Sequence, residues 1–317
     1  MNTIVVLGAS GYIGRHLVAE LVAAGNVRVR VLSRSRQRDL AANTFPVGVD
    51  IVEGDLLDPD SLAALCEPDC TVIHLAYLWT AGEEQNLATI RNLTEACKAA
   101  KVKRLIHLST AMVTGRTRRD QITEAEVCRP LTEYATTKLA IEHAVINAGD
   151  GGFDIAILRP TAVFGPGSEN LKKLAQDLVA GKRVRNYLKS CIFGKRRMNL
   201  VHISNVVASI VFLVVRSENF DGQVFIVSDA DIAENNFQDV ERILMRELRI
   251  PDYKFPPLTV PPFVLSLLLT CLGKDNTNPR CDYFSGKLTT LGFRRPVGFD
   301  AGLADYAAWY HSAYQNY

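Results

Sequence analysis

No run of apolar residues in this sequence is long enough to span a bilayer. The longest, Phe263 to Leu272, is about half of the ~20 residues a spanning helix needs. It follows Pro261 and Pro262 and reads as a buried or partly exposed helix, with a surface contact for an apolar partner as the alternative. The apolar start, Ile4 to Leu7, is too short and too soon interrupted by glycine to be a signal peptide. Excess charge of either sign is missing too. With 36 Lys and Arg against 34 Asp and Glu, the net charge is +2, which predicts no nucleic-acid and no membrane partner. The 7 cysteines are odd in number and lack zinc-type spacing. Cys66 and Cys70 flank a proline-containing turn with no matching pair or His cluster, so reduced thiols in a cytoplasmic chain are expected. No pair of His, Cys or carboxylates has metal spacing. The nucleophile pattern G-x-S-x-G is absent, leaving hydrolase chemistry without support. There are no internal repeats and no low-complexity tracts.

What is present is a regular alternation. The 317 residues, 48% apolar and 22% charged, suit one large domain or two closely joined ones whose core needs no staples. Ile4–Leu7 reads as a strand and Tyr12–Ala24 as a helix stopped by Gly25. Val27–Leu32 reads as a strand with one wet face or at an edge, and Val49–Val52 as a third strand. Asp58-Pro59 opens a short helix to Leu65. Strands at Val72–Ala76, Leu105–Ser109 and Ile155–Leu158 alternate with helices at Asn86–Ala100 and Thr132–Asn147. This rhythm predicts an α/β fold, a doubly wound parallel sheet covered on both faces. After Pro160 it breaks into helices near Asn170–Ala180, Asn205–Val215, Phe237–Leu248 and Ala301–Ser312 between proline-rich loops. The expected division is a dinucleotide-binding domain over 1–160 and a smaller, mostly helical substrate part over 161–317, some of whose segments return to the first.

The loop between the first strand and helix, "VLGASGYIGRHL", places Gly8, Gly11 and Gly14 at equal spacing. Glycine permits a tight turn and a close approach of backbone N–H groups, and the helix N-terminus adds partial positive charge. Together they make a cradle for a pyrophosphate. An NAD site would carry an acid at the end of the second strand, to accept from the ribose 2′-hydroxyl. Here that strand ends in Ser33-Arg34-Ser35-Arg36. Arg34, with Arg15 just past the third glycine, can pair with a 2′-phosphate, so NADP(H) is expected over NAD(H). Asp55, after Gly54, reads either as an acceptor for an adenine amino group or as a turn aspartate.

A second constellation is "YATTK". Tyr134 and Lys138 stand four residues apart on a predicted helix and point the same way. An ammonium beside a phenol lowers its pKa from about 10, fitting it to exchange a proton with an alcohol or carbonyl oxygen. Upstream, "HLSTAMVTG" ends a strand in hydroxyls that face the same cleft.

Taken together, these motifs resemble the short-chain dehydrogenase/reductase superfamily in its extended branch, the NAD(P)-dependent epimerase/dehydratase family, and the likeness runs over nearly the whole chain. "LGASGYIGRHL" looks like the cofactor loop, which implies contacts from Gly8, Ser10, Gly11, Tyr12, Ile13, Gly14 and Arg15. "EGDLLD" looks like the adenine-binding turn, with Asp55 and Leu56. "VIHLA" is similar to the strand lining the cofactor, with Leu75 and Ala76. "RLIHLSTAMVTG" matches the strand carrying the catalytic hydroxyl at Thr110 rather than Ser109. "LRPTAVFGPG", "NLVHISNVV" and "LGFRRPVGFDAGL" also look like this branch. The resemblance implies a Rossmann-like fold and roles for three residues: Tyr134 as acid/base, Lys138 holding the nicotinamide ribose and tuning Tyr134, and Thr110 bonding the reacting oxygen. It also implies a homodimer through Asn86–Ala100 and Thr132–Asn147, where Ala88, Ala96, Ala99, Ala135, Ala140 and Ala144 permit close approach.

The chain departs from the family pattern in places. Dehydratases of this branch carry an Asp-Glu pair after the strand's Thr. Ala111 and Met112 stand there, which disfavours dehydration. Ala162 replaces a substrate-touching Asn, and Met198 an Arg that holds a diphosphate, with Arg196 and Arg197 as candidate substitutes. Ser204-Asn205 replace the acid usual after the His of "VHI". His202 reads as structural, and His74 and His107 as core residues. Arg116, Arg118 and Arg119 read as a solvated loop or a contact for an anionic substrate group. Three substrate readings follow. The first is reduction of a nucleotide-linked 4-keto sugar. The second is C4 epimerisation of a nucleotide sugar with held NAD. The third is redox of a steroid-like or small apolar carbonyl, which Phe263–Leu272, Met198 and Ala162 would suit. A non-catalytic dinucleotide sensor would be expected to have lost Tyr134 or Lys138.

Overall fold

The computed structural model describes residues 2–117, 119–149, 152–271 and 277–314, so Arg118 and Leu272 lie outside the described residues. In chain order the elements are β1 (Asn2–Leu7), α1 (Tyr12–Ala24), β2 (Val27–Ser33), α2 (Arg36–Ala41), β3 (Asp50–Glu53), α3 (Pro59–Leu65), β4 (Thr71–His74), α4 (Glu83–Ala100), β5 (Arg104–Leu108), β6 (Gln121–Ile122), α5 (Glu133–Ala148), β7 (Asp154–Pro160) and β8 (Ala162–Phe164). There follow α6 (Lys172–Val179), α7 (Arg183–Phe193), β9 (Leu200–His202), α8 (Ile203–Val215), β10 (Gln223–Val227), α9 (Phe237–Glu247), α10 (Pro262–Cys271), β11 (Asp282–Tyr283), α11 (Gly286–Thr290) and α12 (Phe299–Tyr314). Two compact units divide the chain. One takes Met1–Val113, Thr132–Arg159 and Val207–Phe225; the other takes Thr114–Leu131, Pro160–Val206 and Ile226–Tyr317.

The first unit is built on a seven-stranded sheet ordered β10-β7-β5-β4-β1-β2-β3, the Rossmann-like arrangement expected. Its pairings from β7 across to β3 are parallel. The chain starts at β1 in the middle, runs out to β3, then crosses back to β4 on the other side of β1. That reversal opens a crevice past the carboxyl ends of β1 and β4, where ligands bind in such sheets. The strands are runs of Val, Ile and Leu because both faces are covered: Val5, Val6, Val31, Ile73, Leu105, Ile106, Ile157 and Leu158 are buried.

One reading of this sheet needs correction. β2 lies inside it, between β1 and β3, which rules out the edge alternative. Its Arg30 is buried, donating to the Leu65 carbonyl at 2.6 Å and to Asp50 at 3.0 Å, so the basic residues of β2 belong to an ion-paired rim and only Arg28 is exposed. The helix α7, in a basic stretch with a single buried stripe, was not anticipated at all.

Helix ends follow local chemistry. Asp58 caps α3, accepting from the Asp60 and Ser61 N–H groups at 3.2 Å each. Thr132 caps α5, accepting from Ala135 N–H at 3.2 Å. α1 stops where Gly25 turns left-handed, φ +69°.

The second unit packs Phe164, Leu171, Leu200, Leu244, Leu303 and Tyr306 into its own core. Small parallel pairs, β8 with β9 and β6 with β11, lie within it. "VHISN" proves to be a clamp. The Asn205 amide donates to Asp229 at 3.1 Å and to the Val297 carbonyl at 3.0 Å, and accepts from Val297 N–H at 3.1 Å. Asn205 thus holds the loop before α12 where the family pattern has an acid. Among the described residues all 7 cysteines are free thiols, and no helix is long and apolar enough to cross a membrane.

Candidate active site

The three glycines have distinct steric reasons. Gly8 has φ +82°, and a Cβ there would stand 2.7 Å from the Ala76 nitrogen, so β1 and the turn after β4 meet through bare backbone. A Cβ on Gly14 would lie 2.2 Å from the Gly8 carbonyl oxygen, which lets the first turn of α1 fold back onto the strand end. Gly11 is the N-cap of α1 and offers no side-chain acceptor to the first-turn N–H groups. Those groups therefore keep their donors and partial positive charge for an anion. Ser10, Gly11 and Arg15 are exposed at this loop, and Tyr12 and Ile13 half-buried. Leu75 N–H donates to the Leu7 carbonyl at 2.9 Å, setting Leu75 and Ala76 against the same loop. The cradle that side chains would fill fits a dinucleotide pyrophosphate.

Arg34 is exposed at the end of β2. Of the acids at that turn, Asp39 is buried and engaged by the Ser33 and Thr44 hydroxyls, and exposed Glu53 accepts from Arg36 N–H at 3.1 Å. Asp55 is exposed at the end of β3; it accepts from Leu57 N–H at 2.8 Å, while its own N–H donates to Ser61 Oγ at 3.2 Å. Leu56 beside it packs on the core.

Thr110, Tyr134 and Lys138 come together at the end of β5 and the start of α5. The Thr110 side chain acts on the Tyr134 phenol, lowering its pKa against the effect of burial. The Lys138 ammonium, buried, donates to the Leu108 carbonyl at 2.9 Å. Burial pushes Lys138 down to about 8, opposed by the attraction of Glu142 one helical turn on. Glu142 is itself buried and holds Arg159 in a two-pronged pair, 2.9 and 2.6 Å. A buried ammonium therefore has a compensated ion pair next to it, the condition under which buried charges persist.

The expected lowering of the Tyr134 pKa is not what the geometry gives. Burial, with Tyr77 adding to it, pushes the phenol up to about 12, against the effect of Thr110. The cause is an aromatic cluster that sequence reasoning missed. Trp79 stacks on Tyr134 with centroids 5.0 Å apart and planes at 12°, and Tyr77 meets both rings edge-on at 4.9 Å. The Lys138 ammonium lies 5.4 Å from the Tyr77 ring centroid. Trp79 is nonetheless 75% exposed. Its loop is pinned by buried Asn86, whose amide donates to the Leu78 and Gly82 carbonyls at 3.2 and 3.1 Å and accepts from Leu78 N–H at 3.0 Å. The signal was the string "AYLW" directly after the strand.

His74 and His107 are buried on facing register positions of β4 and β5, their Nδ1 atoms 2.9 Å apart. Burial and the nearby Lys138 charge hold both neutral, His74 at about 3. One ring donates and the other accepts. Arg196 and Arg197 belong to the second unit. Burial lowers the Arg196 pKa, its guanidinium lying 5.9 Å from the Phe193 ring centroid; Arg197 donates to the Ala233 carbonyl at 3.2 Å. Arg119 pairs with Glu126 at 3.3 Å, as a solvated loop residue does.

A glycine cradle on a parallel sheet, with a Thr, Tyr and Lys gathered beside it, defines a class of dinucleotide-dependent enzymes. The sequence pattern of the NAD dependent epimerase/dehydratase family matches residues 4–228, and the chain belongs to that family. Sterol demethylase protein B of Methylococcus capsulatus is 26% identical over 97% of this chain and 98% of its own. ADP-L-glycero-D-manno-heptose-6-epimerase of Cupriavidus pinatubonensis is 28% identical over 97% of this chain and 98% of its own. The crystal structure of UDP-glucuronic acid 4-epimerase from Bacillus cereus, in complex with NAD, shares the fold, with TM-score 0.73 and 19% identity over 99% of this chain and 98% of that one.

Proposed function

We propose that the protein is a nicotinamide-dependent oxidoreductase that reduces the carbonyl group of an apolar, ring-bearing substrate. The observation that carries this reading is the aromatic wall of Tyr77 and Trp79 around the phenol of Tyr134. Such a wall offers flat apolar surface to a substrate ring. A dinucleotide whose pyrophosphate would lie at the Gly8–Arg15 loop, with Lys138 toward its nicotinamide ribose, would supply the hydride for the carbonyl carbon. Tyr134, protonated throughout the neutral range, gives its proton to the carbonyl oxygen. The Thr110 hydroxyl steadies the resulting phenolate, and the Lys138 charge favours it. Solvent then restores the proton. With Ala111 and Met112 after Thr110, the chain offers no acid-base pair there for removal of water.

The relation to sterol demethylase protein B agrees with an apolar substrate. The equally extensive relation to the heptose epimerase supports a second reading, redox or epimerisation on a nucleotide-linked sugar, with Arg196 and Arg197 meeting the anionic part. Trp79→Ala separates the two. On the first reading KM for a ring-bearing apolar ketone rises about tenfold or more while kcat changes less. If a nucleotide sugar is turned over and its KM does not move, the second reading replaces the first.

We further propose that NADP(H) is preferred. Arg34 is exposed where a 2′-phosphate would lie, and Asp39 is engaged behind it. Arg34→Glu is expected to weaken NADPH binding about tenfold or more and to leave NADH binding unchanged or improved, read by titration of each cofactor. Equal effects on both cofactors would remove the preference.

The protein is also proposed to form a homodimer through α4 and α5. Ala88, Ala140 and Ala144 are half-buried and Ala99 is exposed, whereas Ala96 and Ala135 are already covered within the unit. Sedimentation equilibrium should give twice the chain mass, and a monomer at all concentrations would refute it.

A further inference from the structure

One surface of the second unit is unaccounted for by any of this. α7 and the segment that leads into α10 lie against each other. Arg183 donates to the Pro251 and Asp252 carbonyls at 3.0 and 2.7 Å, Tyr187 to the Pro256 carbonyl at 3.3 Å, and Val260 N–H to the Cys191 carbonyl at 3.1 Å. From these segments Val184, Leu188, Phe255, Leu258, Phe263 and Leu267 project into solvent, their exposure running from 54% for Leu188 to 80% for Leu258. α10 buries Leu265 and Leu269 and leaves Phe263, Val264, Leu267 and Leu268 bare, so its apolar character is spent on both faces although only one is packed. Single exposed apolar residues need no explanation, but a patch drawn from adjoining segments marks a contact.

The charge around the patch identifies the contact. Lys182 to Arg197 contains seven basic residues and no acid, and Pro251 to Cys271 adds Lys254 against one acid, Asp252, in a chain whose net charge is only +2. The positive charge of the chain is therefore concentrated on the segments that expose the apolar side chains. Asp177 takes Arg185 and Lys189, and Asp239 takes Lys195. Lys182 and Lys254 are exposed, with no ion pair to a carboxylate among the described residues.

We propose that this face docks on the surface of an anionic phospholipid bilayer. Phe255, Leu258, Phe263 and Leu267 would enter the boundary between headgroups and acyl chains, while Lys182, Lys254 and Arg183 meet lipid phosphates. At 10 residues α10 is far too short to span, so the contact is interfacial. A nucleic acid would satisfy the cations but not the apolar side chains. A second copy of the chain would bring like charges together. The expectation of no membrane partner rested on whole-chain charge, which does not register charge gathered on one face. The contact does not depend on the identity of the substrate.

The test is sedimentation of the full chain with vesicles of phosphatidylcholine alone and of phosphatidylcholine with phosphatidylglycerol. Binding is expected to the anionic vesicles only, and to weaken in high salt. Phe263→Ser with Leu267→Ser, and separately Lys182→Glu with Lys254→Glu, should each lower the vesicle association constant at least about tenfold. Both variants should melt as the parent does and bind the nicotinamide cofactor unchanged. No association of the parent with anionic vesicles overturns the proposal, as does association that neither variant reduces. Self-association without lipid that Phe263→Ser with Leu267→Ser abolishes would overturn it in favour of a second copy.

Discussion

Tyr134→Phe should lower turnover about a thousandfold, within the span that a positioned general acid contributes, while leaving cofactor binding and melting temperature near those of the parent. The phenol oxygen is the one atom removed. The ring still stacks on Trp79 and packs on Tyr77, so the fold has little reason to respond. Thr110→Ala should fall in the same direction by less, since the Thr110 hydroxyl acts on the phenol rather than on the reacting carbon. Steady-state kinetics together with cofactor titration check both. A Tyr134→Phe variant with unaltered turnover would show that the protein does no proton transfer there and would return the non-catalytic sensor to consideration.

Arg104→Met should destabilise the first unit by about 3–5 kcal/mol, the cost of leaving a buried charge without its partner. Arg104 is fully buried, yet every part of its guanidinium is used. Nε donates to Asp154 at 2.5 Å, Nη1 to the Leu213 and Arg216 carbonyls at 2.5 and 3.0 Å, and Nη2 to the Glu218 carbonyl at 2.5 Å. It thereby satisfies the last carbonyls of α8, and the Phe220 ring centroid stands 4.5 Å from its guanidinium carbon. Asp154 in turn accepts from the Phe220 and Asp221 N–H groups at 2.7 and 3.0 Å. Methionine of similar length fills the space but supplies no donor. Denaturant titration measures the loss. Asp154→Asn added to Arg104→Met should recover part of it, because the stranded charge is gone. A loss under about 1 kcal/mol for the single variant would mean that solvent reaches the carboxylate.

Much of this architecture is legible in the sequence. Period and glycine punctuation located β1, α1, β4, α4, β5 and α5 to within a few residues, since each is long or strongly patterned and its local chemistry agrees with its place in the sheet. Tyr134 and Lys138 could be paired from helix spacing and a strand end placed hydroxyls near them, whereas the choice of Thr110 over Ser109 came from the resemblance to the family. Arg30 misled because alternation along β2 suggested water where the structure supplies Asp50 and a helix carbonyl; only long-range pairing distinguishes the two. The Tyr134 pKa was misjudged for a related reason. Spacing brings Lys138 near, but the buried phenol also answers to Tyr77, which comes from a loop more than fifty residues away in sequence, and Lys138 donates to a backbone carbonyl instead. Glu142 and Arg159 were unreadable, as their partnership spans two elements and leaves no local pattern. The basic apolar face of α7 and α10 was present in the sequence as segregated charge, and net composition concealed it.

The central claim is that the Gly8–Arg15 loop and the Tyr134 cluster together hold a nicotinamide dinucleotide. The chain has 2 Trp, Trp79 and Trp309. In a Trp309→Phe background the emission of Trp79, stacked on Tyr134, reports on that place alone. Titration with NADPH and with NADH should give saturable quenching of Trp79, tighter for NADPH, and Gly8→Ala should abolish it by driving a Cβ into the Ala76 backbone. Absence of saturable quenching by either cofactor, in protein that melts cooperatively, would contradict the account.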